Sequence, residues 1–98
     1  MEKRTPHCPL PKVKALIEAG RIRVTASAVI GAEILGMDRA AIVTVVKSLT
    51  MQDFYKSMTT YADHRIWQDV YHPVTPAGDV YLKLTVVEDV LVVSFKEL

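Results

Sequence analysis

The sequence has little cysteine, little glycine and almost no net charge. A single cysteine, Cys8, excludes an internal disulfide and every zinc site built from several cysteines, which predicts a reducing, cytoplasmic location. The net charge of +1 excludes a polybasic tail, so any contact with nucleic acid needs a local basic patch. No apolar run is long enough for a membrane span, and the charged start does not resemble a signal peptide. Half of the residues are hydrophobic, which predicts one globular domain over residues 1–98.

Signatures of well-known catalytic sites are also missing. There is no glycine-rich phosphate loop and no serine or cysteine nucleophile motif. His7 and Cys8 could form half of a metal site only with His64 or His72, whose spacings are unrelated to known metal motifs, so we predict no metal and no cofactor. Asp63 is adjacent to His64, and neighbouring loop side chains rarely point at each other, so we expect a solvated turn rather than an acid–base pair.

The first half of the chain predicts three helices and one short strand. A first helix starts near Pro11 and stops at Gly20, and residues 21–24 alternate as an edge strand does. Thr25 or Ser27 caps a second helix that ends at Gly36, and a third helix follows, capped by Asp38. Thr50 and Asp53 resemble a capping box, which predicts one more helical turn extending through Lys56. Residues 27–49 also allow a helix-turn-helix, although Arg39 and Lys47 alone are few cations for reading a DNA groove.

The second half predicts an antiparallel meander. Residues 67–72 show the alternation that is typical of a strand, up to Pro73. Residues 75–78 are of the types that favour turns, and two runs rich in β-branched residues follow at 80–87 and 90–97. Helices followed by antiparallel strands predict an α+β fold, in which the N-terminal helices pack on the apolar face of a C-terminal sheet.

The last two runs predict a hairpin with a two-residue turn at Glu88 and Asp89. Its apolar face pairs Leu82 with Phe95, Leu84 with Val93, and Val86 with Leu91. Its polar face pairs Tyr81 with Lys96, and Lys83 with Ser94. Taken alone, a cross-strand tyrosine and lysine are an ordinary solvent-exposed pair.

Two registers remain open for the strand that begins at Trp67. A four-residue loop pairs His72 with Tyr81, and a loop one residue longer turns the strand over. The first register brings several hydrogen-bond donors to one face, at the cost of Asp69 on the apolar side. These donors are Gln68, His72, Tyr81, Lys83 and Lys96.

Several ungapped segments resemble the motility quorum-sensing regulator toxins, the MqsR family. They comprise residues 54–61, 63–64, 66–71, 80–83 and 93–97, together with the opening residues 1–7. Residues 20–52 differ from the family while keeping a helical pattern. Position 72 is a histidine where the family has arginine, and position 88 is a glutamate where it has histidine.

The resemblance implies a RelE-like fold and a ribosome-independent, metal-independent mRNA interferase, the toxin of a type II toxin–antitoxin system. It further implies cleavage at GCU-type sites and a zinc-containing, DNA-binding antitoxin of the MqsA type as partner, with DNA contacted only through that antitoxin. The family's functional positions correspond to Lys56, Gln68, Tyr81 and Lys96.

Cleavage without a metal needs a base for the ribose 2′-OH, donors for the phosphate and an acid for the departing 5′ oxygen. We expect Lys56 and Lys96 to bind the phosphate, Gln68 to orient it and Tyr81 to transfer a proton, giving 2′,3′-cyclic phosphate and 5′-hydroxyl ends. Candidates for RNA contact are His72, Lys83, Tyr55 and Trp67, with Tyr71 as a further stacking candidate. Burial of these aromatic rings in a small core explains them equally well. A second class also remains, a non-catalytic regulatory or binding module that acts with an antitoxin or repressor.

Overall fold

The computed structural model describes all residues from Met1 to Leu98 and contains three α-helices beside a seven-stranded sheet. The predicted α+β class is confirmed. None of the helices combines the length and hydrophobicity that crossing a membrane requires. The elements in chain order are β1 (Glu2–Lys3), α1 (Leu10–Glu18), β2 (Ile22–Val24), α2 (Ala26–Ile34), α3 (Arg39–Lys47), a 3-10 turn (Met51–Asp53), β3 (Phe54–Thr59), β4 (Trp67–Tyr71), β5 (Val74–Thr75), β6 (Gly78–Val86) and β7 (Val90–Glu97).

The three predicted helices are present with the caps that the sequence indicates. The side chain of Thr25 accepts a hydrogen bond from the Ala28 amide, and that of Asp38 accepts one from the Ala41 amide. The predicted extension of the capping-box turn through Lys56 is wrong. The box at Thr50 exists, but the turn stops at Asp53, and the following residues pair with β4 instead. Pairing with a neighbouring strand therefore outweighs the local helical signal.

Strands follow the order β1-β3-β4-β6-β7-β2, and β5 adds to β6. All neighbours are antiparallel except β2 and β7, which run parallel. The predicted meander forms the middle of the sheet, and the two short strands β1 and β2 close its edges. Sequence patterns predicted β2 but not β1, whose two residues are too few to show a periodicity.

The β4–β6 ladder resolves the open register in favour of the first alternative. Tyr71 lies opposite Leu82 and Val74 opposite Asp79, so the same register aligns His72 with Tyr81 between these pairs. β5 continues the ladder to a tight turn after Thr75, which is shorter than the predicted loop but keeps the same alignment.

One face of the sheet is buried under the helices. Helices α1 and α3 contribute Val13, Ile17, Ile42 and Val46 to this core, all with at most 6% of their surface exposed. The strand residues of the same cluster are Tyr71, Val80, Leu82, Leu84, Val90, Val92 and Phe95. The predicted packing of the N-terminal helices on the apolar side of the hairpin is confirmed, and the opposite face carries no helix.

The β6–β7 hairpin differs from its prediction near the turn. The pairs of Leu82 with Phe95, Tyr81 with Lys96, and Lys83 with Ser94 are confirmed. Beyond Lys83 a β-bulge shifts the register, so Leu84 faces Val92 and Val86 faces Val90 across a three-residue turn. The predicted pairs of Leu84 with Val93 and Val86 with Leu91 are therefore wrong. The bulge turns Val90 and Val92 inward while Phe95 keeps its inward position, so all three pack in the core.

Asp69 lies on the apolar side, as the chosen register requires, and the residue is 2% exposed. Its two oxygens accept hydrogen bonds from the backbone amides of His7, at 2.9 Å, and Cys8, at 3.1 Å. Burying this carboxylate is therefore compensated by two charge-assisted hydrogen bonds, and these attach the N-terminal segment to the sheet.

Candidate active site

Polar and aromatic side chains cover the face of the sheet that carries no helix. Cross-strand partners point to the same side of a sheet, so Lys56, Val70, Lys83 and Ser94 form one row across β3, β4, β6 and β7. A second row beside it contains Tyr55, His72, Tyr81 and Lys96. We call this helix-free surface the open face.

A β-bulge in β3 brings Tyr55 onto the open face. Phe54 lies opposite Tyr71 and Lys56 lies opposite Val70, so Tyr55 is the extra residue between them. The Phe54 ring consequently meets Tyr71 edge-on toward the core, with 5.4 Å between the ring centroids. Tyr55 and Lys56, although consecutive, both reach the open face, which a regular strand does not allow.

The second row is a continuous run of aromatic rings with a lysine at each end. Tyr55 stacks on His72 with 4.4 Å between ring centroids, and His72 is 5.9 Å from Tyr81. The Lys96 ammonium lies 5.3 Å from the Tyr81 ring centroid, and the Lys56 ammonium lies 5.5 Å from that of Tyr55. Both distances fall in the range of cation–π contacts. The predicted pair of Tyr81 and Lys96 thus belongs to a larger group that includes Lys56.

Two residues of the N-terminal segment join this group, and sequence patterns identified neither of them. The Glu2 carboxylate accepts a 2.6 Å hydrogen bond from the Lys56 ammonium. This bond and the opposite charge raise the pKa of Lys56 and lower that of Glu2. Arg4 donates a 3.5 Å hydrogen bond to the Tyr55 carbonyl and lies over its ring. Glu2 and Lys56 are 54 residues apart, so no local spacing pointed to their contact.

His72 is held between the two tyrosines. Its Nε2 atom is buried and has no hydrogen-bond partner in the protein, while its backbone amide donates to the Asp53 carbonyl at 2.7 Å. Stacking rather than hydrogen bonding therefore fixes this ring. The remaining predicted residues of the open face are Gln68, which faces Met58 on β3, and Lys83, which faces Val70 and Ser94. Neither side chain forms a hydrogen bond or an ion pair with a protein group.

Trp67 and Tyr71 lie on the other face of β4. The Lys3 ammonium lies 4.1 Å from the centroid of the Trp67 ring, and His7 stacks on the ring at 5.6 Å. These contacts fasten the N-terminal segment to β4. The position of Trp67 on this face separates it from the other candidates for RNA contact. Tyr71 is fully buried in the core, so the interpretation of its ring as a stacking surface for a base is wrong.

Two comparisons with known proteins bear on this face. The model of a family described as motility quorum-sensing regulator, toxin of MqsA, matches residues 5–97, which include every candidate residue named from the sequence. The mRNA interferase toxin MqsR of Escherichia coli (strain K12) is 58% identical over 97 residues, covering 99% of each chain.

Proposed function

The chain belongs to the family of motility quorum-sensing regulator toxins, and from this membership we propose that it is an mRNA interferase, a toxin that cleaves mRNA. The observation that best supports this function is the aromatic row of the open face, flanked by Lys56 and Lys96. Cations beside stacked rings on an uncovered sheet are suited to a single-stranded nucleic acid, whose phosphates and bases they bind respectively.

We assign the four candidate catalytic residues distinct roles. Lys56 and Lys96 bind the scissile phosphate and stabilise the charge that develops on it. The Gln68 amide, which has no partner within the protein, orients the phosphate or the ribose. Tyr81 transfers a proton, and the Lys96 ammonium lies 5.3 Å from the centroid of its ring.

The aromatic row supplies the contacts to the bases. Tyr55 is 44% exposed and its ring stacks on His72, so an unpaired base can stack on the free surface of the ring. The His72 ring stacks on the other surface of the Tyr55 ring, and Lys83 adds positive charge to the neighbouring row. Trp67 lies on the other face, and we assign it no part in cleavage.

The finer properties follow the same proposal. We propose a RelE-like fold and cleavage at GCU-type sites, without ribosome or metal, that yields 2′,3′-cyclic phosphate and 5′-hydroxyl ends. The partner is an antitoxin of the MqsA type, consistent with the family's description as toxin of MqsA. We propose further that this antitoxin contains zinc and contacts DNA itself, and that the toxin acts in the cytoplasm.

Cleavage of a GCU-containing RNA by the purified protein in EDTA tests this function. We expect products with cyclic phosphate and 5′-hydroxyl ends, and a rate about 10²- to 10³-fold lower for Lys96→Ala and Tyr81→Phe. Matched controls are Lys12→Ala and Tyr61→Phe, which alter exposed residues outside the open face. Full activity in both site variants contradicts the assigned roles, and absence of cleavage by the unmodified protein contradicts the function.

Expression in cells separates this function from the non-catalytic alternative. A ribonuclease halts growth unless the antitoxin is supplied, and Lys96→Ala relieves the arrest. A regulatory module leaves growth unchanged in both cases.

A further inference from the structure

Strand β1 carries a carboxylate to the candidate active site. Glu2 lies opposite Met58 on β3, so its side chain points to the open face, where it contacts Lys56 at 2.6 Å. It is the only carboxylate that forms an ion pair or a side-chain hydrogen bond with any of Lys56, Gln68, Tyr81 and Lys96. The side chain remains 57% exposed, so a bound RNA can reach it.

Several contacts hold β1 firmly against the sheet edge. The Thr59 amide donates to the Met1 carbonyl at 3.0 Å, next to the ladder pair of Glu2 and Met58. Farther along, Lys3 covers the Trp67 ring, and the buried Asp69 binds the amides of His7 and Cys8. Glu2 is therefore presented by an anchored strand rather than by a loose terminus. A fixed anion at this position repels the phosphates of RNA, a cost that indicates a role in the chemistry.

The proposed cleavage needs a base, and the other candidates are poor ones at neutral pH. The contact with Glu2 raises the pKa of Lys56 and keeps its ammonium protonated. An amide such as that of Gln68 does not accept protons, and phenols and ammonium groups generally retain theirs at pH 7. A carboxylate is ionised at that pH and is a common general base.

We propose that Glu2 is the general base, which removes the proton from the ribose 2′-OH; this inference rests on the proposed function. The 2′-OH loses its proton to the Glu2 carboxylate, and its oxygen forms a bond to the adjacent phosphorus. The bond from phosphorus to the 5′ oxygen breaks, and that oxygen takes a proton from the Tyr81 hydroxyl. The products are a 2′,3′-cyclic phosphate and a 5′-hydroxyl, and proton exchange with water restores both side chains. Lys56 has three N–H donors and can bind a phosphate oxygen while it keeps Glu2 in place.

Single-turnover cleavage by the full chain, with any tag at the C-terminus so that β1 is undisturbed, tests this role. We expect Glu2→Gln to lower the rate about 10²- to 10⁴-fold. Its affinity for a 2′-O-methyl RNA of the same sequence should be equal to or tighter than that of the unmodified protein, since a negative charge is lost. The matched control is Glu18→Gln, whose carboxylate pairs with Lys47 at 3.2 Å away from the open face.

The pH dependence distinguishes a base from a residue that only positions Lys56. Because the hydrogen bond from Lys56 lowers the pKa of Glu2, the unmodified protein should gain rate with pH on the acid side of the usual glutamate range, as the Glu2 carboxylate ionises. Glu2→Gln should lack this acidic limb. A slow Glu2→Gln variant that keeps the limb, or one that cleaves as fast as the unmodified protein or faster, overturns the inference. If the unmodified protein cleaves no RNA, both the proposed function and the role of Glu2 are contradicted. If Glu2→Gln cleaves as well as the unmodified protein, only the role of Glu2 is contradicted.

Discussion

Asp69 shows how one buried residue joins the terminal segment to the site. Its carboxylate accepts both the His7 and Cys8 amides, and replacing it leaves two N–H groups without a partner. We expect Asp69→Ala to lower the free energy of unfolding by about 3 kcal/mol, since hydrogen bonds to a charged group contribute about 1.5 to 3 kcal/mol each. Urea denaturation measures this value, with the exposed Asp79→Ala as control. Equal stability of the two variants would contradict the anchoring role.

Tyr71 presents the opposite case, a buried polar atom without a partner. Its hydroxyl forms no hydrogen bond in the protein, so Tyr71→Phe should raise the free energy of unfolding at pH 7 by about 1 kcal/mol. Burial, with a smaller contribution from the Asp69 charge, raises the pKa of Tyr71 well above its usual value. A raised pKa means that the folded protein loses the Tyr71 proton less readily than the unfolded chain does. Ionisation of Tyr71 therefore leaves the free energy of unfolding unchanged below the unfolded pKa of about 10 and lowers it as pH rises above that value.

Urea midpoints between pH 7 and pH 11 test both statements. The unmodified protein should lose stability above pH 10 more steeply than Tyr71→Phe. Tyr61→Phe, which alters a fully exposed ring, should follow the unmodified protein. A less stable Tyr71→Phe at pH 7 would mean that the hydroxyl has a partner, such as an ordered water.

At the scale of elements, the contact between α2 and the edge of β7 depends on a glycine. A Cβ atom built on Gly31 would lie 2.1 Å from the Phe95 carbonyl oxygen and 3.4 Å from the Lys96 Cβ. Because the obstacle is backbone, helix and strand must separate, and Gly31→Ala should cost about 1 to 3 kcal/mol despite the better helix propensity of alanine. The separation also displaces Lys96, so cleavage should fall together with stability.

Thermal unfolding and RNA cleavage measure these effects of Gly31→Ala, and Ser27→Ala on the exposed side of α2 is the control. An unchanged melting temperature would contradict this close packing.

The elements also show which part of the fold local patterns predict. Thr25, Asp38 and the apolar stripes of the helices act within one or two turns, so these helices could be predicted from the sequence. Both β-bulges depend instead on which side chains the helices cover. At Val93 the choice is between burying Val90 and Val92 or their neighbours, and the alternation of an all-apolar strand leaves it open. At Tyr55 the bulge overrides a capping signal that predicted helix.

At the scale of the whole molecule, the candidate site combines both ends of the chain. The facing pair of Tyr81 and Lys96 lies within one hairpin. It was predicted correctly although the turn has three residues rather than two, because the β-bulge restores the predicted register from Lys83 onward. Lys56 became a candidate through the family resemblance, whereas the register of the Trp67 strand already placed Gln68 on the polar face. The strand order explains why they share the open face. Glu2 and Arg4 reach this face only because β1 pairs with β3. These segments are more than 50 residues apart, and a two-residue strand is too short for its sequence to predict the pairing.

The low net charge of the whole chain makes a quantitative prediction about RNA binding. With a net charge of +1, affinity should come from the open face rather than from a general field. If Lys56, Lys83 and Lys96 each neutralise one phosphate, the logarithm of the affinity for a 2′-O-methyl RNA should fall with the logarithm of salt concentration with a slope of about −2. Lys96→Ala should reduce the slope to about −1.4, because each single-stranded phosphate contributes about −0.7. Lys12→Ala should leave it unchanged, since that residue is on α1.

A slope beyond about −4 would contradict this count and indicate phosphate contacts outside the open face. The exposed Arg21 and Arg23 on the far edge of the sheet, which pair with Asp89, would then be the first to mutate.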